Sequence, residues 1–181
     1  HLLTILLRYK LTLIDLRAVM RDVFRTLQGT TERALADRCR GIYERDIAPR
    51  VSPSACVAIE EHRRAGHRLV LLTAQTAYMA EPVSDALGFA EVLCTRLETR
   101  DGLFTGEVIG PICYGPGKRE LAVAWAHAEG VDLAQSFFYT DSYSDRPMLD
   151  AVGHPRAANP DPRLWLYARR RGLPILTFGP P

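Results

Sequence analysis

The chain has 181 residues, of which 47% are hydrophobic and 24% are charged, a composition typical of a globular protein with one sizeable core and at most a small additional subdomain. A formal net charge of +2 is too small to indicate a nucleic-acid-binding protein, so no nucleic-acid partner is expected. The basic run at 169–171 is typical of the solvated last turn of a helix.

Cysteine usage and hydropathy also exclude several classes of protein. The four cysteines are scattered, without a Cys-x-x-Cys pair: Cys39, Cys56, Cys94 and Cys113. This favours reduced thiols in the cytoplasm over a disulfide framework or a zinc site. No apolar run reaches the roughly 18 residues of a membrane span. The apolar start at 1–7 precedes Arg8 and Lys10, a charge order opposite to that of a signal peptide.

The first 50 residues show helical patterns only. Asp15 is a candidate N-cap for a helix with apolar residues on one face, which Gly29 is expected to end. Thr30 or Thr31 is expected to begin a second helix. No strand pattern interrupts this stretch.

From Pro53 onward the pattern alternates between helix and strand. Helices are predicted over 53–65, 77–87, 118–129 and 161–171, and strands over 67–72, 90–95, 136–140, 151–157 and 174–177. Asp101-Gly102 between two alternating runs, 97–100 and 103–109, is a strong hairpin signal. This order predicts an α/β fold, namely a Rossmann-like parallel sheet flanked by helices.

Polar residues that suit a phosphate and a metal ion follow the predicted strands. Ligands of an open parallel sheet bind at the carboxyl ends of its strands. Thr73 and Ala74 come after the first strand, and a hydroxyl with backbone N–H groups can bind phosphate oxygens. Asp141 and Asp145 follow the third strand. Lys118 opens a helix, where a bound anion would relieve its unfavourable interaction with the helix dipole.

The two acids are expected to have different roles. Asp141 is a hard oxygen donor suited to Mg²⁺, whereas Asp145, one turn further on, can orient a metal-bound water or a nearby lysine. Taken singly, each residue also fits an ordinary structural role: Thr73 as a helix cap, Lys118 as a surface lysine, and the two acids as a cap and a surface charge. Their shared position at one sheet edge favours a functional site.

These motifs resemble those of the haloacid dehalogenase superfamily, in particular the phosphoserine-phosphatase-like subgroup with a small helical cap. The segment 73–76 is similar to its second motif, Lys118 in Gly-Pro-Gly-Lys to its third, and the segment 140–145 to its fourth. The hairpin around Asp101 and the segment 152–161 also fit the subgroup, so the resemblance covers about residues 15–178.

The first motif of that family, Asp-x-Asp at the end of an apolar strand, occurs nowhere in the chain. The resemblance implies that residues 1–50 are the cap and residues 51–181 the α/β core, with the first core strand upstream of His1. In the family this strand lies between the strands that end at Thr73 and Asp141. Its absence is expected to leave unpaired backbone groups, which a strand-swapped dimer or association with the missing N-terminal segment would satisfy.

The resemblance implies a Mg²⁺-dependent phosphatase that acts on a small phosphorylated metabolite through an aspartyl-phosphate. Thr73, Lys118 and Asp145 are its implied catalytic residues, Thr73, Ala74 and Lys118 its phosphate-binding residues, and Asp141 its metal ligand. The fragment itself is expected to be inactive. The alternative is a phosphate-binding or interaction module without a nucleophile. A receiver domain is disfavoured, since it needs aspartates on early strands and has no cap.

Overall fold

The computed structural model describes residues 15–179. Its helices are α1 (Leu16–Arg25), α2 (Glu32–Ile42), α3 (Pro53–Arg64), α4 (Ala77–Leu87), α5 (Pro116–Ala128), α6 (Arg146–Leu149) and α7 (Pro162–Arg171). Its strands are β1 (Val70–Thr76), β2 (Glu91–Arg100), β3 (Leu103–Ile109), β4 (Phe137–Thr140), β5 (His154–Ala158) and β6 (Ile175–Leu176). A π-helical turn, Tyr43–Ile47, and a 3₁₀ turn, Ala48–Arg50, continue α2.

The two predicted N-caps are confirmed. The Asp15 side chain accepts a hydrogen bond from the Arg17 N–H at 3.0 Å, and the Thr31 hydroxyl accepts one from the Ala34 N–H at 3.3 Å. Both bonds satisfy backbone donors that a helix leaves free in its first turn. The helical prediction therefore holds for most of residues 15–50, although α1 ends at Arg25 and a turn, not the helix, leads to Gly29. The part that falls on residues 1–14 lies outside the described residues.

The linker between α1 and α2 is bonded to the β2–β3 hairpin through the backbone. The Gly29 N–H donates to the Phe104 carbonyl at 2.9 Å, and the Phe104 N–H donates to the Thr30 carbonyl at 3.0 Å. The Glu32 N–H donates to the Gly102 carbonyl at 2.9 Å. A buried apolar cluster joins the same elements: Phe24, Leu97 and Phe104. The division into a cap (1–50) and a core (51–181) stays a prediction.

The described strands form two three-stranded sheets, which confirms the α/β class. The first has the order β1-β2-β3, with β1 parallel and β3 antiparallel to β2, and the second has the parallel order β4-β5-β6. Within residues 15–179, one edge of β1 and one edge of β4 lack a neighbouring strand. The predicted single sheet is thus divided in the part of the chain that the structure describes.

The hairpin prediction is confirmed. The prediction of two separate strands over 90–95 and 97–100 was wrong. Asp101 and Gly102 have φ values of 52° and 74°, the positive pair that a tight two-residue hairpin turn requires. The predicted strand 90–95 and the first hairpin strand are one strand, β2. The reason is that its pairing passes from Thr95, opposite Thr76, directly to Arg96, opposite Ile109.

Two other strand boundaries also differ from the prediction. The first strand was expected to end at residue 72, yet β1 continues to Thr76 through a register shift between Leu72 and Thr76. The fourth was expected over 151–157, yet β5 begins at His154. A turn precedes it because Gly153 lies against the Ala134 carbonyl oxygen, which an added Cβ would approach to 1.7 Å.

The main core is formed by helices and the second sheet, and it extends to the first sheet. Its buried members come from α5, α6, α7 and the second sheet: Ala122, Phe138, Met148, Leu149, Ala157, Leu164 and Ala168. Leu72 and Leu93 of the first sheet pack against them, so the two sheets share one core. Between residues 15 and 179, every helix is too short or too polar to cross a lipid bilayer.

Candidate active site

A buried ion pair lies at the carboxyl ends of the strands. The Lys118 ammonium donates to Asp145 Oδ2 at 2.6 Å, and the two side chains are only 12% and 3% exposed. Lys118 belongs to the first turn of α5, and Asp145 lies in the 3₁₀ turn that follows β4. A buried carboxylate is costly unless it is paired, so each member of the pair depends on the other.

The loop before Lys118 is fixed by close backbone packing. Gly117 lies against the Ile112 carbonyl, and an added Cβ would approach that oxygen to 2.0 Å. Gly115 caps α5 with a φ of 54°, which places it in the left-handed region. The Gly-Pro-Gly sequence before Lys118 is therefore required by the backbone path that brings its ammonium to Asp145.

A threonine of β4 completes the surroundings of Asp145. The Thr140 hydroxyl donates to Asp145 Oδ2 at 2.7 Å and accepts a hydrogen bond from the Ser142 N–H at 3.2 Å. Thr140 is 8% exposed and Asp145 is 2% exposed. One oxygen of Asp145 thus accepts hydrogen bonds from both Lys118 and Thr140, which fixes the lysine at the end of β4.

Asp141 differs from Asp145 in every respect that matters for ligand binding. It is exposed, and within residues 15–179 its carboxylate has no hydrogen bond or ion pair. Its carbonyl accepts a hydrogen bond from the Asp161 N–H at 2.7 Å. The Asp161 carboxylate in turn accepts from the Tyr143 N–H at 2.8 Å and caps α7 through the Leu164 N–H at 2.8 Å. Asp161 therefore holds the turn that presents Asp141.

Thr73 and Ala74 lie inside β1 rather than after it, in the irregular segment between Leu72 and Thr76. The Thr73 hydroxyl accepts a hydrogen bond from the Gln75 N–H at 3.2 Å. Residues 73–75 lie outside the regular ladder between β1 and β2. Their backbone N–H groups are therefore not committed to ladder hydrogen bonds with β2.

Cys113 connects this segment to the ion pair. Burial raises the pKa of its thiol to about 12, with smaller influences from Lys118, Asp145 and the Thr73 backbone. Such a thiol stays protonated and unreactive. The Cys113 N–H donates to the Thr95 hydroxyl, which donates to the Ala74 carbonyl, and no direct side-chain bond between Thr73 and Lys118 occurs in residues 15–179.

The sequence-predicted residues are therefore brought together to different degrees. Lys118 and Asp145 are in contact, Asp141 precedes Asp145 by one turn, and the Thr73 hydroxyl has no bond to any of the three within residues 15–179. No cluster of three or more metal-binding His, Cys, Asp or Glu side chains occurs among residues 15–179. Within that range Asp141 is the unpaired carboxylate at this edge.

Two residues with clear bonds to the site were given no role from the sequence. They are Thr140 and Asp161. A sequence signal exists for Thr140, since it shares the inward face of β4 with Phe138 and is a polar residue at a buried position. No such signal exists for Asp161, whose bond to the Tyr143 N–H depends on tertiary folding.

Comparison with known proteins gives consistent matches. A family profile described as haloacid dehalogenase-like hydrolase matches residues 2–150. The "Inhibition of morphological differentiation protein" of Streptomyces azureus is 43% identical over 136 residues, which is 75% of this chain and 49% of that protein. A phosphoserine phosphatase of Mycobacterium tuberculosis is 35% identical over 164 residues, which is 91% of this chain and 53% of that protein.

A crystal structure of a Bordetella pertussis protein superposes with a TM-score of 0.87 at 29% identity, covering 96% of this chain and 79% of that one. The chain spans about half the length of the two curated relatives named above.

Proposed function

Because the chain belongs to the haloacid dehalogenase-like hydrolase family and to its phosphoserine-phosphatase-like subgroup, we propose that the complete protein is a phosphatase that hydrolyses a small phosphomonoester. The observation that carries this proposal is the buried Lys118–Asp145 pair, 2.6 Å between Nζ and Oδ2, which follows the carboxyl end of β4. An ammonium and a hydroxyl near the carboxyl ends of strands suit a phosphate dianion.

Lys118 is the proposed electrostatic partner of the phosphoryl oxygens. Charge builds on those oxygens when phosphoryl transfer occurs, and a preorganised cation in a buried site stabilises that charge more strongly than in water. Asp145 and Thr140 hold the ammonium in place, so Lys118 loses little conformational freedom when the ester binds. Thr73 and the N–H groups after it are the proposed hydrogen-bond donors to the same oxygens.

The residues present fit Mg²⁺, and Asp141 is its proposed ligand. An exposed, unpaired carboxylate at the end of β4 suits an ion that takes few protein carboxylates and completes its shell with water and phosphate. When bound, Mg²⁺ supplies charge neutralisation for the phosphoryl group. Asp161 keeps the Asp141 turn in position through the backbone.

The nucleophile is proposed to come from a strand upstream of residue 1, because the printed sequence has no Asp-x-Asp. An aspartate oxygen would attack phosphorus, the ester P–O bond would break, and water would then hydrolyse the acyl phosphate. The unpaired edges of β1 and β4 support a place for such a strand beside them. Without that strand, the chain is proposed to be inactive and to associate with the missing segment or a strand-swapped partner.

We propose a cytoplasmic location, supported by four cysteines that are all free. The alternative function, a phosphate-binding or interaction module without a nucleophile, is favoured by one observation, the absence of Asp-x-Asp from the printed sequence. The two functions differ in whether a bound ester is cleaved.

The decisive experiment uses the protein extended upstream of His1 to its natural start. A panel of phosphomonoesters is incubated with it and Mg²⁺, and released phosphate is measured. Lys118→Ala is expected to lower kcat/KM by about 100-fold, the usual effect of removing one electrostatic stabiliser of the transition state.

Arg119→Ala removes the exposed neighbouring cation, which has no ion pair within residues 15–179, and serves as the matched control. Binding of esters without phosphate release would establish the alternative module. Equal hydrolysis by wild type and Lys118→Ala would refute the proposed site.

A further inference from the structure

Thr95 is a fully buried polar residue that the proposed mechanism does not use. It lies on β2 with 0% exposure and is the last residue that pairs with β1 before the pairing with β3 begins at Arg96. Its hydroxyl accepts a hydrogen bond from the Cys113 N–H at 3.1 Å and donates one to the Ala74 carbonyl at 3.4 Å. One hydroxyl therefore joins two loops that are distant in sequence.

The first of these loops is the irregular segment of β1. The register runs from Leu72 opposite Leu93 to Thr76 opposite Thr95, so β1 advances four residues while β2 advances two. Residues 73–75 lie between these two pairs, outside the regular ladder. The Ala74 carbonyl therefore lacks the partner that a regular strand would provide. The Thr95 hydroxyl supplies a replacement donor, which fixes the path of the segment that carries Thr73.

The second loop leads to Lys118. Cys113 is 0% exposed, and its N–H has the Thr95 hydroxyl as acceptor. Its thiol also donates to the Leu93 carbonyl at 3.5 Å, so the residue is bonded to β2 twice. From Cys113 to Lys118 the backbone has little freedom, because Gly117 packs directly on the Ile112 carbonyl. The position of Cys113 therefore determines where α5 begins.

We propose that Thr95 is a positioning residue that sets the separation between the Thr73–Ala74 segment and Lys118. This inference rests on the proposed function, since it assumes that both elements bind one phosphate group. Thr95 is buried behind the site and touches no substrate. Its hydroxyl holds two groups of phosphate donors, carried on different elements, at the spacing that a single anion requires.

Thr95→Val tests the hydroxyl alone, because valine has nearly the same shape but neither donates nor accepts a hydrogen bond. It leaves the Cys113 N–H and the Ala74 carbonyl buried without this partner. Thr95→Ser keeps the hydroxyl. Thr99→Val makes the same substitution further along β2, at a partly exposed site outside the two loops, and is the matched control.

The experiment uses the protein extended to its natural start, with inorganic phosphate as the probe in the presence of Mg²⁺. Isothermal titration calorimetry gives the phosphate affinity, and hydrogen exchange measured by mass spectrometry follows the peptides that contain residues 73–76 and Cys113. Thr95→Val is expected to bind phosphate about tenfold more weakly and to exchange faster in both peptides. The phosphate affinity of Thr95→Ser is expected to stay within about twofold of that of wild type. The affinity of Thr99→Val is expected to equal that of wild type.

Equal phosphate affinity in wild type and Thr95→Val would overturn the positioning role even if exchange at Cys113 accelerates, since the hydroxyl would then serve only the fold. The positioning role would also be overturned if Thr95→Ser lost as much phosphate affinity as Thr95→Val. If Thr95→Val does not fold, Thr95→Ala replaces it, with the same expectations for affinity and exchange. If wild type itself binds no phosphate while the exchange differences persist, the proposed function fails and the positioning role fails with it, although the hydroxyl link between the loops remains.

Discussion

The carboxyl ends of β4 and β1 position their polar residues in different ways. At the end of β4, side chains bond to one another: Thr140 and Lys118 both donate to Asp145, which is 2% exposed. In the irregular part of β1, Thr73 is partly exposed and its hydroxyl accepts only from the Gln75 backbone, two residues away. Lys118 and Asp145 are thus held by buried side-chain bonds. The Thr73 hydroxyl is instead positioned by the backbone path of an irregular strand.

The strongest test of this comparison is Asp145→Asn. The amide keeps the shape of the side chain but leaves the buried Lys118 ammonium without a carboxylate. We expect destabilisation of about 3–5 kcal/mol and a loss of phosphatase activity of at least about 100-fold. Urea unfolding and phosphate release, measured on the protein extended to its natural start, give the two values. Asp85→Asn, at an exposed acid of α4, is the control, and a stable, active Asp145→Asn protein would contradict the buried pair.

Asp141→Asn is expected to separate activity from stability. Because the Asp141 carboxylate is exposed and unpaired within residues 15–179, its removal should change the free energy of unfolding by less than about 0.5 kcal/mol. Turnover that depends on Mg²⁺ should nevertheless be lost, since the proposed ligand is gone. A titration of activity against Mg²⁺ concentration makes the measurement. Undiminished turnover at the same Mg²⁺ concentration would remove Asp141 from the site.

The smallest effects come from the same change at both strand ends. Thr140→Val removes a donor to Asp145 and an acceptor for the Ser142 N–H, and we expect it to cost about 1–3 kcal/mol of stability. Thr73→Val breaks one local bond and should cost less than about 1 kcal/mol, while phosphate affinity falls about tenfold. Unfolding and phosphate titration of both variants compare the two ends directly. Equal losses of stability in the two variants would contradict the stated difference between Thr140, with its bond to buried Asp145, and Thr73, with its single local bond.

Part of the candidate site could be predicted from the sequence because Asp141 and Asp145 come after an apolar run that parallel pairing brings to one sheet edge. Lys118 could be added because it opens a helix, where a bound anion would relieve its unfavourable interaction with the helix dipole. The interpretation of Asp145 as the partner of a nearby lysine agrees with the 2.6 Å bond.

The remaining features depend on pairing between distant segments. The position of Thr73 inside β1 follows from its register with β2, which no local pattern of β1 contains. The continuity of β2 was missed for the same reason, because its two halves pair with different strands. The bonds of Asp161 and Thr95 reach residues 18 positions away along the chain, so residue type alone gives no indication of them.

The backbone bonds between the α1–α2 linker and the hairpin turn have a practical consequence for chimeric proteins. Gly29 and Thr30 bond to Phe104 of β3 as an additional strand would, so the two helices are anchored to the free edge of β3. Anyone who exchanges the helical segment for that of a relative has to transplant the hairpin with it. A graft that ends at the sequence boundary near residue 50 would separate the two halves of a single hydrogen-bonded unit.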